Sequence, residues 1–168
     1  LSQAVRPEME AFARETGESV NLAVPLGREA LYLDQVEGTK LVRLFTAPGS
    51  RAPLHATGVG KVFLAYLGVP EGLSLTPYTP HTLTRLPDLL RELEAVRGRG
   101  YALDNEEKEL GVRCVAAPVF GASGGVVAAL SLSAPASRLS LEEAHRLAPR
   151  VVEAARRASL RLGYTGEV

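Results

Sequence analysis

Two runs in the second half of the chain alternate with the two-residue period of a β-strand. In Val112 to Phe120, Val112, Cys114, Ala116 and Pro118 share one side, and Arg113, Val115, Ala117 and Val119 the other. In Val126 to Ser133, Val127, Ala129, Ser131 and Ser133 fall together. The joining Gly-Ala-Ser-Gly-Gly supplies residues that tolerate positive φ, so the two runs predict a hairpin. Pairing Phe120 with Gly125 sets Cys114 opposite Ser131 and Val112 opposite Ser133. A slip of one residue would instead pair Cys114 with Leu132 and turn both serines to the opposite face. Short side chains on one buried face leave a hollow, which either a closely packed helix or a ligand must fill.

The remaining periodicities fill in the frame. Val5, Met9, Phe12 and Ala13 form a helical stripe, with Ser2 as predicted N-cap, Pro7 tolerable near the first turn and Gly17 as the C′ residue. Val20, Leu22, Val24 and Leu26 alternate with Asn21, Ala23 and Pro25; Gly27-Arg28 reads as a turn, and Ala30 to Val36 completes a hairpin. Pro25 implies that the first of these strands is an edge strand or ends there. A short strand is expected over Leu41 to Phe45, a turn over 47–51, and a loop feeding a helix over Leu54 to Leu67. Leu86, Leu89, Leu90, Leu93 and Val96 mark a further helix ended by Gly98 and Gly100, and Tyr101 to Leu103 reads as a strand. Asp104 and Glu107 have capping-box spacing for a short segment over 105–110. Ser140 and Glu143 have the same spacing for a closing helix with Leu141, Ala144, Leu147, Val151, Ala155 and Leu162 inward, kinked at Pro149 and ended by Gly163. Helices flanking strands joined mostly by hairpins predict an antiparallel α+β sandwich.

Composition narrows the possibilities. The 168 residues suit a single domain, and a 46% hydrophobic, 23% charged chain is that of a globular protein rather than a disordered one. No apolar run approaches the ~18 residues of a membrane span. Formal net charge is zero with the basic residues scattered, so this chain by itself is not expected to bind DNA. One cysteine excludes an internal disulfide framework and no secretory signal opens the sequence, which fits a cytoplasmic setting. The start at Leu1, in mid-pattern, points to a piece of a longer protein with the missing part upstream.

Candidate chemistry is sparse. Thr57 is a plausible cap, and the amides of Gly58, Val59 and Gly60 at a helix start could receive a carboxylate or phosphate; equally, the two glycines could let the helix start close to a sheet. Gly60-Lys61 followed by Val62 is not a P-loop. Asp104 is either a cap or a buried acceptor for a ligand hydroxyl. Cys114, His55 and Asp104 are the residue types of a thiol enzyme or a zinc site. Against both, Cys114 sits in an apolar strand, where a thiol is usually an inert small hydrophobe, and no paired ligand motif appears. His81, in a proline-rich loop, and His145, on a capped helix, read as solvated.

The stretches PLHATGVGKVFLAYL, ELEAVRGRGYALDNEEKELGVRCVAAPVF and GGVVAALSLSAPASRLS, a closing helix ending RLGY and the opening PEMEAFARETGESVNLAV together resemble the effector-binding domain of the IclR family of bacterial transcriptional regulators. The likeness runs over nearly the whole chain in the same order and spacing. It implies one effector-binding domain over 1–168, with a GAF- or profilin-like curved antiparallel sheet and no cofactor, metal or catalytic residue. In such regulators an upstream winged helix-turn-helix reads DNA. This domain binds a small metabolite, often a carboxylic or aromatic acid, and helps assemble dimers and tetramers. The ligand-facing positions implied by the matching motifs are Leu41, Leu44, Gly58, Val59, Asp104, Val112, Cys114, Ser131 and Ser133. Val59 departs from an alanine frequent in the family, which narrows the pocket. A ligand carboxylate is expected on the amides of Gly58 to Gly60 and on Ser131 or Ser133, with Asp104 bonding a hydroxyl or standing at the far end. The alternatives are a purely structural dimerisation module and, from a different class, a cysteine-dependent enzyme.

Overall fold

Six strands form one antiparallel, curled sheet in the order β3-β2-β1-β6-β5-β4 in the computed structural model, which describes residues 1–40 and 47–166. They are β1 (Ser19–Leu26), β2 (Glu29–Val36), β3 (Arg51–Pro53), β4 (Ala102–Asn105), β5 (Val112–Phe120) and β6 (Val126–Pro135). Four helices, α1 (Ser2–Thr16), α2 (Gly58–Leu67), α3 (Leu86–Arg99) and α4 (Leu141–Arg161), complete the expected α+β architecture. The strand expected over Leu41 to Phe45, and with it Leu41 and Leu44, lies outside the described residues.

The alternation seen in the sequence divides the core. Val20, Leu22, Val115, Ala117, Val119, Leu130 and Leu132 point to one face, where α1 and α4 cover them. Ala23, Tyr32, Ala102, Ala116 and Ala129 point to the other, under α2. Small residues there let a helix approach closely. The α3 helix packs mainly on α2, and of its stripe Leu89, Leu93 and Val96 are buried while Leu86 and Leu90 stay about half exposed.

Several local expectations need correction. Ser2 is the first helical residue of α1; Leu1 holds the cap position and no side chain caps the helix. Gly17 does close α1 in the left-handed region, its N–H donating to Ala13 O at 2.7 Å. β1 is a central strand despite Pro25, because its pairing with β6 ends at Ala23 and the proline lies beyond it. Pro118 in β5 likewise lies past Ala116, the last partner of β4. The turn expected over 47–51 gives way to β3 at Arg51. Asn105 ends β4, and 106–110 forms bends and a turn, not a helix. At α4 the capping box is present, with Glu143 N–H on Ser140 Oγ at 3.1 Å and Ser140 N–H on Glu143 Oε1 at 3.2 Å. The helix continues through Pro149 and buries alanines in preference to Leu141 and Leu147.

The β5–β6 register differs from the predicted one by two residues: Cys114 faces Ser133, Ala116 faces Ser131 and Val112 faces Pro135. Two insertions of one residue each cause this. The loop closes as Gly121 N–H to Gly125 O at 2.9 Å, so Phe120 pairs with Val126, and a bulge follows between Val119 and Phe120. The Phe120 N–H is satisfied by Ser159 Oγ of α4 at 2.9 Å. An even slip preserves the faces, so Cys114, Ser131 and Ser133 still share one side.

Candidate ligand-binding site

A cavity of about 110 Å³ opens on the α2 side of the sheet, walled by Tyr32 of β2, Thr57 before α2, Asp104 of β4, Val112 and Cys114 of β5 and Ser133 of β6. Exposed Arg51, Lys108 and Glu109 line its rim. Broader grooves lie on the surface between α1 and α4 and beside α3, lined largely by charged side chains.

The cavity floor belongs to a hydrogen-bonded row crossing four strands. Gln35 Nε2 donates to Asn21 Oδ1 at 2.9 Å, and Asn21 Nδ2 donates to Ser133 Oγ at 3.1 Å and Ser131 Oγ at 3.3 Å. Ser133 Oγ lies 3.1 Å from Cys114 Sγ. A bulge in β2 opposite Leu22 and Ala23 lets both Tyr32 and Gln35 face this side, although they are an odd number of residues apart. Because the Asn21 amide donates to Ser133, the serine keeps its own proton to give away.

Burial sets the protonation of the wall. It pushes the Tyr32 phenol well above its ordinary value, aided by the neighbouring Asp104. It does the same to the Cys114 thiol, with Asp104 adding to the effect. Asp104 is pushed up to about 7, first by burial and then by the neighbouring Glu107 charge, against the pull of the Glu107 and Lys108 amides and of Lys61. Near neutral pH the wall therefore offers the phenol and one proton of the Ser133–Cys114 pair, the other being shared between hydroxyl and thiol. A thiol held neutral is a poor nucleophile. Iodoacetamide at about pH 7.5 is expected to leave Cys114 unmodified for about an hour while the urea-unfolded protein is alkylated completely; equal rates by mass spectrometry would contradict this burial.

The turn after β4 is held by groups that sequence reasoning did not connect. Glu107 N–H donates to Asp104 Oδ1 at 2.7 Å, half of the expected capping box. The Glu107 carboxylate goes instead to Lys61 Nζ at 2.9 and 3.0 Å and to Asn105 N–H at 3.1 Å. Glu106 adopts φ 57°, its carbonyl accepting from Thr79 Oγ1 at 2.6 Å. These long-range bonds override the local helix signal.

Of the sequence-derived positions, Asp104, Val112, Cys114 and Ser133 meet at the cavity. Ser131 lies further along β6 in the polar row, bonded by Asn21. Gly58 and Val59 are the buried first residues of α2: a Cβ on Gly58 would lie 3.2 Å from that of Ala116, and Val59 packs in the core. The Gly60 amide is already taken by Thr57 Oγ1 at 3.1 Å, so the three-amide cradle expected at this helix start is not formed. His55 is turned away to Thr76 O at 2.8 Å and is not brought to Cys114 or Asp104. Among the described residues no group of three or more His, Cys, Asp or Glu could hold a metal. Tyr32, Thr57, Asn21 and Gln35 were missed as site residues. For Asn21 a signal existed, a single amide in the apolar run Val20 to Val24 on the row with Ala23.

A single-sheet α+β domain with a small, donor-lined cavity is the build of a small-molecule-binding domain. Residues 1–160 match the bacterial transcriptional regulator IclR C-terminal family, and the chain belongs to it. It is 38% identical over 165 residues to the HTH-type transcriptional regulator BhcR of Paracoccus denitrificans, covering 95% of this chain and 59% of that protein. The crystal structure of the Thermotoga maritima IclR superposes with a TM-score of 0.89 at 36% identity, over 97% of this chain and 68% of that one. A double mutant of the PobR inducer-binding domain from Acinetobacter, in complex with 3-hydroxybenzoic acid, gives a TM-score of 0.84 at 26% identity, over 99% of both chains. The chain spans about half to two thirds of the length of the curated relatives it matches. Those relatives are named as regulators and repressors of transcription, not as enzymes. No described helix is long and apolar enough to cross a membrane.

Proposed function

We propose that this domain senses a small organic acid and, through that binding and through assembly into dimers or tetramers, modulates DNA binding by an upstream domain of a cytoplasmic regulator. The observation that carries the reading is the wall of buried Tyr32 and Ser133 and half-buried Cys114, converging on one small cavity whose serine is oriented by Asn21. A carboxylate supplies acceptors to the Tyr32 and Ser133–Cys114 side of this wall, and charge-assisted bonds of this kind contribute about 1.5–3 kcal/mol each. The acid bound by the Acinetobacter relative is of the same class. Val112 gives apolar cover, to which Leu41 and Leu44 would add. Ser131 acts through Asn21, and the amides of Gly58 and Val59 lie next to the Thr57 wall.

A thermal-shift screen of lactate, pyruvate, 3-hydroxybenzoate and related acids tests this, because a ligand that binds only the folded state raises Tm with concentration. Ser133→Ala is expected to weaken the best acid about tenfold, ~1.4 kcal/mol. Unchanged affinity would remove Ser133 from the site. No shift with any acid would favour a purely structural assembly module.

A further inference from the structure

Asp104 and Glu107 place two carboxyl groups in one buried turn, 4% and 7% exposed, and one buried cation, Lys61 on α2, answers them. Lys61 is committed elsewhere: its Nζ donates to both Glu107 oxygens and lies 3.5 Å from Glu92 Oε2 of α3. Asp104 has main-chain support, the Glu107 N–H at 2.7 Å, and among the described residues it forms no ion pair. The groups sharing its cavity are Tyr32 from β2, Cys114 from β5, Arg51 from β3, and Lys108 and Glu109 from its own turn. Arg51 and Glu109 are exposed at the rim, and Lys108 Nζ stands over the Tyr78 ring, 4.9 Å from its centroid.

We propose that Asp104 is a protonated acid in the occupied pocket, donating a hydrogen bond to the effector, so that an anionic effector is taken up together with one proton. The inference rests on the organic-acid reading above. A carboxylate entering beside an ionised Asp104 would meet the buried charges of Asp104 and Glu107, whose buried cation Lys61 is already committed, while Arg51 and Lys108 stand exposed at the rim. A proton on Asp104 removes that repulsion and converts an acceptor into a donor. Because the carboxyl already titrates at about 7, the proton is available at neutral pH, and an incoming anion moves the group further in the same direction. Glu107 is the positioning residue: its amide orients Asp104, and its charge, anchored by Lys61, raises it.

Isothermal titration calorimetry of this chain with lactate, pyruvate and 3-hydroxybenzoate in phosphate and in Tris reads proton uptake from the buffer dependence of the apparent enthalpy. The tightest of these acids is expected to take up about one proton per site at about pH 8, with affinity level below about pH 6 and falling about tenfold per pH unit above about 8. Asp104→Asn, which keeps the shape and supplies an N–H, is expected to bind the same acid without proton uptake. Glu107→Gln, checked for folding by circular dichroism, should start the fall at lower pH; an unmoved fall would remove Glu107 from the account. Acid binding with no proton uptake overturns the inference and leaves the sensor reading standing. No binding by any of the three overturns that reading and the inference with it.

The unliganded protein gives a check free of any ligand. A carboxyl raised in the folded state favours folding when protonated; this contribution is complete below about pH 4 and is lost as pH rises through about 7. The Tm of Asp104→Asn should therefore gain on that of the wild type between about pH 5 and about pH 8. A constant difference over that range would also overturn the proposal.

Discussion

Replacing Lys61 by methionine is expected to lower the stability of the domain by about 3–5 kcal/mol. The side chain is 1% exposed, and it is the cation of a network joining α2 to Glu107 in the turn after β4 and to Glu92 of α3, which Arg99 Nη2 also contacts at 3.1 Å. A buried pair contributes little beyond what packed apolar groups would. Removing one partner, however, strands the other charge out of water, and that asymmetry makes the single change severe. Glu107 must then either stay charged without a partner or take up a proton, and the turn carrying Asp104, Lys108 and Glu109 loses its anchor. With a slope of about 2 kcal/mol per M, the urea midpoint should drop by roughly 2 M. Adding Glu107→Gln removes the stranded charge while leaving a carbonyl for Asn105 N–H, and should recover more than half of the loss. A single-mutant loss below about 1 kcal/mol would mean that water reaches the pair and screens it.

Gly60→Ala is the second change with a large expected effect, about 3 kcal/mol or more. A Cβ built there falls on the backbone of Leu54, 2.5 Å from its Cα, with no flexible side chain to yield. Either the start of α2 or the strand-to-helix connection must move, and both frame the Thr57 wall. Gly58→Ala is the control. Its Cβ comes 3.2 Å from the Ala116 methyl and makes ordinary 3.7 Å contacts with Ala102 O and Ala116 N, and should cost about 1 kcal/mol or less. Denaturation midpoints of the two variants decide what these glycines are for. Equal, small losses would return them to the role of anion-binding backbone, whereas the predicted contrast makes close helix packing their purpose.

The nine-residue run from Val112 to Phe120 already separates the face that α4 covers from the face that holds the cavity, because side-chain direction in a strand is a local property of period two. Placing Cys114 with Ser133 still required a pairing of the right parity, and the two-residue difference from the expected register kept it. The register itself depended on a five-residue glycine loop closure and on a bulge whose freed N–H finds Ser159, more than thirty residues away. No local pattern carries that information. The helix expected over 105–110 failed for the same reason: the spacing of Asp104 and Glu107 is that of a capping box, but a buried lysine 46 residues earlier takes the Glu107 carboxylate. Asn21 and Gln35 were legible only as residues in alternating strands. Their roles appeared once β1 lay between β2 and β6 and the amides met the serines.

The sequence by itself determined the class of fold, the order of most elements, the two faces of the sheet and the family, since these rest on periodicity, caps and motif order along the chain. Only the tertiary structure decided which small residues enclose a cavity, which glycines pack against backbone, and that burial beside Glu107 pushes Asp104 up. Those properties depend on distance, burial and charge between segments far apart in sequence, and they exist only once the chain is folded.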